Sequence, residues 1–218
     1  MNKMRVAILI SGRGSNMERL VDSCKINNKS ASIELVFSNN DKASGLSFAK
    51  NNNIKTSVID HRIFEKREDF DHELDKKLRE NNIDFICNAG FMRILSEDFV
   101  NNWFNKQLNI HPSLLPDFKG LDVHKRVIES KTNISGCTVH LVRAGVDEGP
   151  IIGQISTNIE SNDNEEILAG KVLKLEHILY PVCLKLFSDN LIQINEDKII
   201  YSKEAIDQLD EINARLGK

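Results

Sequence analysis

Proline is scarce in this chain, with 4 in 218 residues; tryptophan occurs once, tyrosine twice, and aromatic residues make up 6%. Such a composition excludes proline-rich linkers and collagen-like repeats and leaves room for uninterrupted helices and strands. No apolar run approaches the ~20 residues of a membrane-spanning helix. The apolar residues from Val6 to Ile10, behind Met-Asn-Lys-Met-Arg, are too few for a secretory leader, so a cytoplasmic chain with no membrane partner is expected. Charge of one sign is not in excess: 29 Lys and Arg against 32 Asp and Glu leave −3, which excludes the strongly basic footprint of a nucleic-acid binder. Cys24, Cys87, Cys137 and Cys183 lie far apart, each in an apolar stretch, and His61, His72, His111, His124, His140 and His177 form no His-x-x-x-His pair. Reduced core thiols and no metal site are therefore expected. The Gly-Lys-Ser/Thr of a P-loop and the Gly-x-Ser-x-Gly elbow of a covalent hydrolase are missing too.

What is present is a rhythm of strands and helices in a chain long enough for one large domain. Val6 to Ile10 is continuously apolar, as in a central strand covered on both faces. Met17, Leu20, Val21 and Cys24 recur at i, i+3, i+4 and i+7, one face of a helix. Strands follow at Ile33 to Phe37 and Thr56 to Ile59, with a short helix near Gly45 to Lys50 between them. Phe70, Leu74 and Leu78 mark a helix, Phe85 to Ala89 a buried strand, and Ser96 a helix cap. Leu108 to Ile110 reads as a strand and Val123 to Ser130 as a helix. Cys137, Val139 and Leu141, alternating with Thr138, His140 and Val142, read as a strand, as does Ile151 to Ile155. A long helix begins near Asp163, with Ile167, Leu168, Leu175, Ile178, Leu179, Val182 and Leu186 on its apolar side, and Pro181 is expected to end or bend it. A hairpin, Leu191 to Ile194 and Ile199 to Tyr201, precedes a last helix striped with Ile206, Leu209, Ile212 and Leu216. The pattern predicts a single three-layer α/β domain over 1–218 with a mostly parallel sheet, whose first ~100 residues carry the phosphate-binding end.

Three stretches can carry chemistry. Ser11-Gly12-Arg13-Gly14-Ser15-Asn16 joins the first strand to the first helix, where backbone N–H groups and the helix dipole can hold a phosphate; an ordinary tight turn is the alternative. In Leu108-Asn109-Ile110-His111-Pro112, Asn109 and His111 project to one side of a strand. There an amide and an imidazole can stabilise an oxyanion, against the alternative of a buried histidine satisfied by a carbonyl. Asp147, in Gly145-Val146-Asp147-Glu148-Gly149-Pro150, sits in a turn that its glycines free. Beside His111 it would raise the imidazole pKa; alone it would cap the local backbone.

These segments together resemble the folate-dependent formyltransferases, specifically the phosphoribosylglycinamide formyltransferase family. The likeness runs through Ile8-Leu9-Ile10-Ser11-Gly12-x-Gly14-Ser15-Asn16, Ala89-Gly90-Phe91-Met92-Arg93-Ile94-Leu95-Ser96, Leu108-Asn109-Ile110-His111-Pro112-Ser113-Leu114-Leu115-Pro116, Asp147-x-Gly149-Pro150 and Glu176-His177-x-x-Tyr180-Pro181. It implies a Rossmann-like formyltransferase fold and transfer of a formyl group from 10-formyltetrahydrofolate to glycinamide ribonucleotide in purine biosynthesis. It also implies small-molecule partners only, in a monomer or homodimer. Gly14, Ser15 and Asn16 would hold the nucleotide phosphate and Glu176 the ribose. Arg67, Met92, Arg93, Ile94 and Leu95, with Asn109 and the turn Arg143, Ala144, Gly145, Val146 and Asp147, would hold the folate. Asn109, protonated His111 and Asp147 would carry the chemistry without a metal.

The chain departs from the family pattern at Arg13, where Asn is frequent, at Glu148, where a small residue is frequent, and in the less acidic turn Arg143-Ala144-Gly145-Val146. A methionyl-tRNA formyltransferase or a formyltetrahydrofolate hydrolase would be expected to carry a further domain, which this sequence does not suggest. An NAD-dependent oxidoreductase would need a third glycine in the first loop and an acid closing the second strand, where Ser38-Asn39-Asn40 stands.

Overall fold

The computed structural model describes residues 3–216, with side chains through 214. Its elements are β1 (Met4–Ile10), α1 (Ser15–Ile26), β2 (Ala31–Ser38), α2 (Gly45–Asn51), β3 (Lys55–Val58), α3 (Arg67–Glu80), β4 (Phe85–Asn88), α4 (Glu97–Asn102) and β5 (Gln107–His111). There follow α5 (Val123–Ser130), β6 (Ile134–Leu141), β7 (Ile151–Asn158), α6 (Glu165–Ser188), β8 (Ile192–Asn195), β9 (Lys198–Tyr201) and α7 (Lys203–Leu216). The main sheet has seven strands in the order β3-β2-β1-β4-β5-β6-β7, and β8 with β9 forms a separate hairpin. The mostly parallel α/β architecture read from the sequence is what the chain adopts.

Two compact units are distinguished, Met1–Asn109 with Val142–Ala144 and Ile110–Leu141 with Gly145–Lys218. In the first, β3, β2, β1, β4 and β5 pair in parallel. Ala7, Leu9, Leu35, Phe37 and Ile86 point from the strands into one cluster with Phe70, Leu74 and Leu78 of α3 and Phe99 of α4. The alternate residues of β1, Val6, Ile8 and Ile10, point away from that cluster and are equally inaccessible. A strand covered on both faces has no polar side, which is why Val6 to Ile10 is unbroken apolar sequence. Ser96 caps α4 as expected, its hydroxyl accepting from the Phe99 N–H, while its own N–H donates to Asp71 Oδ2 of α3 at 2.6 Å.

In the second unit β6 and β7 are antiparallel, with a register shift between Val139 and His140. Both alternating sets of β6 are buried from Ser135 to Leu141, so its alternation of types does not reflect a wet and a dry face. A Cβ on Gly136 would lie 2.0 Å from the Ile155 carbonyl oxygen and 2.8 Å from Leu114, so only glycine fits between the strands. Helix α6 corrects two expectations. It runs through Pro181 to Ser188, because Leu179, Tyr180, Cys183, Leu184 and Leu186 are buried on either side of the proline and offset its cost of ~3 kcal/mol. Ile167 and Ile178, assigned to the apolar side, are exposed, and Val172 and Tyr180 are buried instead. The stripe of α7 is likewise rotated: Ile206 is exposed and Ala205 buried, so Ala205, Leu209 and Ile212 share a face; the side chain of Leu216 lies outside the described residues. All four cysteines are buried and free. Burial pushes the Cys24 thiol up to about 11 and those of Cys137 and Cys183 higher still, which makes them poor nucleophiles.

Candidate active site

The first unit supplies the loop in which the sequence places a candidate phosphate site. Gly14 stands at the N-cap of α1 with φ +72 and makes no side-chain cap, so the helix opens on bare backbone. First-turn N–H groups have no acceptor within their own helix, and with the dipole they favour an anion. Gly45 lets α2 approach this loop: a Cβ there would meet the Arg13 carbonyl oxygen at 2.9 Å. Ser15 is half-buried, Asn16 is buried and Arg13 is exposed.

Ser11, which the motif contains but to which it gave no role, ties this loop to its surroundings. Its hydroxyl donates to Asn39 Oδ1 at 2.6 Å and accepts from the Met92 N–H at 2.8 Å, while its own N–H donates to the Gly90 carbonyl at 3.1 Å. One short side chain thus joins this loop, the end of β2 and the 90–95 segment. Along that segment Met92 and Ile94 are 68% and 58% exposed, a large apolar surface left open to a ligand. Leu95 is different: its side chain belongs to the hydrophobic cluster, so only its backbone is presented. The Arg93 guanidinium lies 4.6 Å over the Phe70 ring, with a buried Nε that finds no hydrogen-bond partner among the described residues. Arg67 is exposed at the first position of α3, within electrostatic reach of Asp71 and not turned inward. Burial pushes the Asp71 carboxyl above its usual range, against the pull of Ser96, Arg93 and Arg67.

Arg143 opens the turn expected to hold the folate, and its side chain packs within the first unit. Its guanidinium stacks 4.0 Å over Phe104, and Nη2 donates to Asn105 Oδ1 at 2.7 Å. Ala144 and Val146 are exposed beside it and Gly145 is half-buried.

The second unit supplies the titratable cluster, and here folding brings together residues that spacing could not. His111, at the end of β5, has Nδ1 3.2 Å from Asp147 Oδ2 and Nε2 3.0 Å from the Phe118 carbonyl oxygen. Asp147 Oδ2 accepts the Gly120 N–H at 2.9 Å, and its Oδ1 faces His140 Nε2 at 3.6 Å. His140 sits where β6 shifts register against β7; such an irregularity re-aims a side chain. As one of six dispersed histidines it gave no sequence signal of this role. The turn is also built differently from the reading. Asp147 itself takes the left-handed conformation, φ +54, which aspartate tolerates better than most residues. Gly145 has no left-handed φ, and a Cβ there would meet only the movable, exposed end of the Glu148 side chain.

Burial pulls the His111 imidazole below its ordinary value, outweighing the Phe118 carbonyl and Asp147, which pull it up. Both ring nitrogens nevertheless face acceptors, the Phe118 carbonyl oxygen and Asp147 Oδ2, which a doubly protonated ring would satisfy together. Burial pushes the Asp147 carboxyl up, but hydrogen bonds from His140 and the Gly120 N–H and the nearby imidazoles hold it below the usual carboxylate range. Asn109 precedes His111 by two on β5 and is half-buried, so strand alternation directs both side chains to one side. Glu176 is buried on α6. Among the described residues no three His, Cys, Asp or Glu side chains are grouped to hold a metal ion, and no helix is long and apolar enough to cross a membrane.

Comparison with known proteins places these features. Residues 4–200 match the formyl transferase family. Phosphoribosylglycinamide formyltransferase of Escherichia coli is 37% identical over 194 residues, 89% of this chain and 92% of that protein. The human trifunctional purine biosynthetic protein adenosine-3 is 44% identical over 203 residues, 93% of this chain; the chain spans only 20% of that protein's length. Among solved structures, phosphoribosylglycinamide formyltransferase from Anaplasma phagocytophilum superposes with a TM-score of 0.86 at 38% identity, covering 93% of this chain and 96% of that one. Glycinamide ribonucleotide transformylase 1 from Symbiobacterium toebii gives 0.89 at 34% identity, covering 92% and 95%.

Proposed function

The chain belongs to the formyl transferase family, among the phosphoribosylglycinamide formyltransferases, and from that premise we propose how its residues divide the reaction. The substrates are glycinamide ribonucleotide and 10-formyltetrahydrofolate, and the chain acts as one catalytic domain. The observation that carries this reading is the contact of His111 with Asp147 at 3.2 Å, on a strand that also bears Asn109.

The nucleotide phosphate rests on the backbone of Gly14, Ser15 and Asn16, and Glu176 accepts from the ribose. The folate lies along Met92 and Ile94, with the backbones of Arg93, Leu95 and residues 143 to 147 framing its ring; Arg67 faces its acidic tail. The amine of the nucleotide attacks the formyl carbon. A new C–N bond forms, the carbonyl electron pair moves to oxygen, and the Asn109 amide and the His111 ring stabilise that oxyanion. An anion beside the ring favours the imidazolium, so the developing oxyanion and Asp147 both oppose the burial that lowers the His111 pKa. Collapse breaks the bond from carbon to the folate nitrogen. The proton released by the amine passes by way of Asp147 to that nitrogen, leaving tetrahydrofolate.

The test is to mix the purified protein with 10-formyltetrahydrofolate, or a deaza analogue, and follow loss of the formyl folate with and without glycinamide ribonucleotide. Loss that requires the nucleotide is the expected result. Loss without it would make the protein a hydrolase, and no loss in either case would leave it a binding protein.

A further inference from the structure

The segment between Pro116 and α5 is conformationally costly. Phe118, Gly120 and Asp122 all have left-handed backbones, with φ of 56, 80 and 54, and two of the three are not glycine. Such positions persist only where the surroundings over-determine them. Here the surroundings are largely one side chain. Arg126, half-buried on α5, donates from Nη2 to the Phe118 carbonyl at 2.9 Å and to the Lys119 carbonyl at 2.6 Å, and from Nε to the Leu121 carbonyl at 3.0 Å. A planar fork of fixed donors suits three carbonyls that turn toward one centre; a lysine ammonium on its flexible stem does not reproduce it.

Two backbone groups of this stretch also touch the titratable cluster. The Phe118 carbonyl oxygen that accepts from Arg126 is the one facing His111 Nε2 at 3.0 Å. The Gly120 N–H, inside the clamped stretch, donates to Asp147 Oδ2, the oxygen that faces His111 Nδ1. The loop therefore grips the imidazole through one ring nitrogen and the carboxylate that meets the other. Lys119 adds a second tie, to Glu148 Oε1 at 3.0 Å, but that pair is exposed and weak beside a three-carbonyl clamp.

We propose that Arg126 is a positioning residue for formyl transfer: its guanidinium holds the 118–121 backbone in the arrangement that orients His111 and Asp147 toward each other. The proposal rests on the reading that those two residues carry the chemistry. Arg126 touches neither substrate in this scheme and acts only through the loop.

The experiment compares Arg126→Met, Arg126→Ala, Arg126→Lys and His111→Asn with the unaltered protein. It measures kcat, KM for both substrates, thermal unfolding, and the ring-nitrogen resonances of His111 in ¹⁵N-labelled protein. Arg126→Met is expected to lower kcat about 10- to 100-fold with both KM values little changed, as misplacement of a reacting group does. The His111 ring resonances shift and broaden, a change that lost stability alone would not produce in the folded fraction. Arg126→Lys, which keeps charge and stem, is expected to recover only a minor part, and serves as the test if the Met variant does not fold. Guanidinium ion added to Arg126→Ala should restore part of the turnover. A kcat within about twofold of the original with His111 resonances unmoved, in whichever of the Met and Lys variants folds, overturns the proposal. Unchanged turnover in His111→Asn overturns the reading beneath it instead.

Discussion

His111 Nδ1 lies 3.2 Å from Asp147 Oδ2, and both side chains are nearly closed to solvent. The pair places an ionised carboxylate beside an imidazole that burial alone would keep neutral. Replacing Asp147 with Asn removes the charge that favours the imidazolium as an oxyanion forms. Turnover in Asp147→Asn is expected to fall by at least about 100-fold with the fold intact by circular dichroism; a loss under about fivefold would show that the carboxylate is not needed.

Asn109 and His111 share one strand and one side of it. Removing either donor by Asn109→Ala or His111→Ala is expected to lower kcat about 100- to 1000-fold, the scale for one well-placed oxyanion donor. Because the two act on the same developing charge, the double variant should lose less than the product of the single losses. Near-normal kcat in purified His111→Ala would remove that residue from the reaction.

Stability should depend on pH through the same ring. Folded His111 binds its proton less tightly than the ordinary value of 6.5, chiefly through burial, and His124 is lowered in the same sense. The unfolded chain therefore takes up protons first as pH falls through 6.5, so the stability these rings contribute is present above that value and lost as pH drops toward their folded values. Urea unfolding at about pH 7.5 and about pH 5.5 measures the slope. His111→Asn should flatten it, and an identical slope in the variant would contradict the lowered proton affinity of the buried ring. Asp147, held low, adds its own loss only at more acid pH, below its usual 3.8.

Asp71 joins α3 to the N-terminus of α4 by accepting the Ser96 N–H at 2.6 Å. Asp71→Ala would leave that N–H buried and unpaired, a cost of about 1–3 kcal/mol. The segment 92–95 lies immediately before Ser96, so the KM for the formyl folate is expected to rise more than that for the nucleotide. Steady-state kinetics at fixed saturation of each substrate separates the two, and equal changes would disconnect Asp71 from the folate side.

Gly136 has no room for a methyl group, with the Ile155 carbonyl 2.0 Å from where a Cβ would stand. Gly136→Ala should cost at least about 3 kcal/mol by forcing β6 and β7 apart. Urea denaturation that finds under about 1 kcal/mol would mean the strands can shift without loss.

Most elements were legible because their residues report burial locally. Val6 to Ile10 is apolar throughout since both faces of β1 are covered, and Val123 to Ser130 forms α5 over the residues its pattern marks. Where the pattern misled, a neighbour decided. Pro181 stays inside α6 because the residues flanking it are buried, and Ile206 faces outward because α7 packs with Ala205 inward. The site was legible as separate words: the Gly14 loop, Asn109 with His111, and Asp147. The side chains of Arg143 and Leu95, both named from the resemblance, serve Phe104 with Asn105 and the hydrophobic cluster. His140 and Arg126 carried no motif and Ser11 stood in one without a role, since what His140 and Ser11 do is set by partners distant in the chain and what Arg126 does by the turns of the loop before it.

The sequence by itself thus determined the alternation of strands and helices, the bare glycine start of α1, and the family to which the Asn109-to-Pro116 stretch belongs. Only the tertiary structure decided that Asp147 meets His111, that His140 stands behind the carboxylate, and that burial opposes the proton on the ring. Periodicity is a property of neighbours along the chain. Proximity and desolvation are properties of neighbours in space, and no spacing in the sequence encodes them.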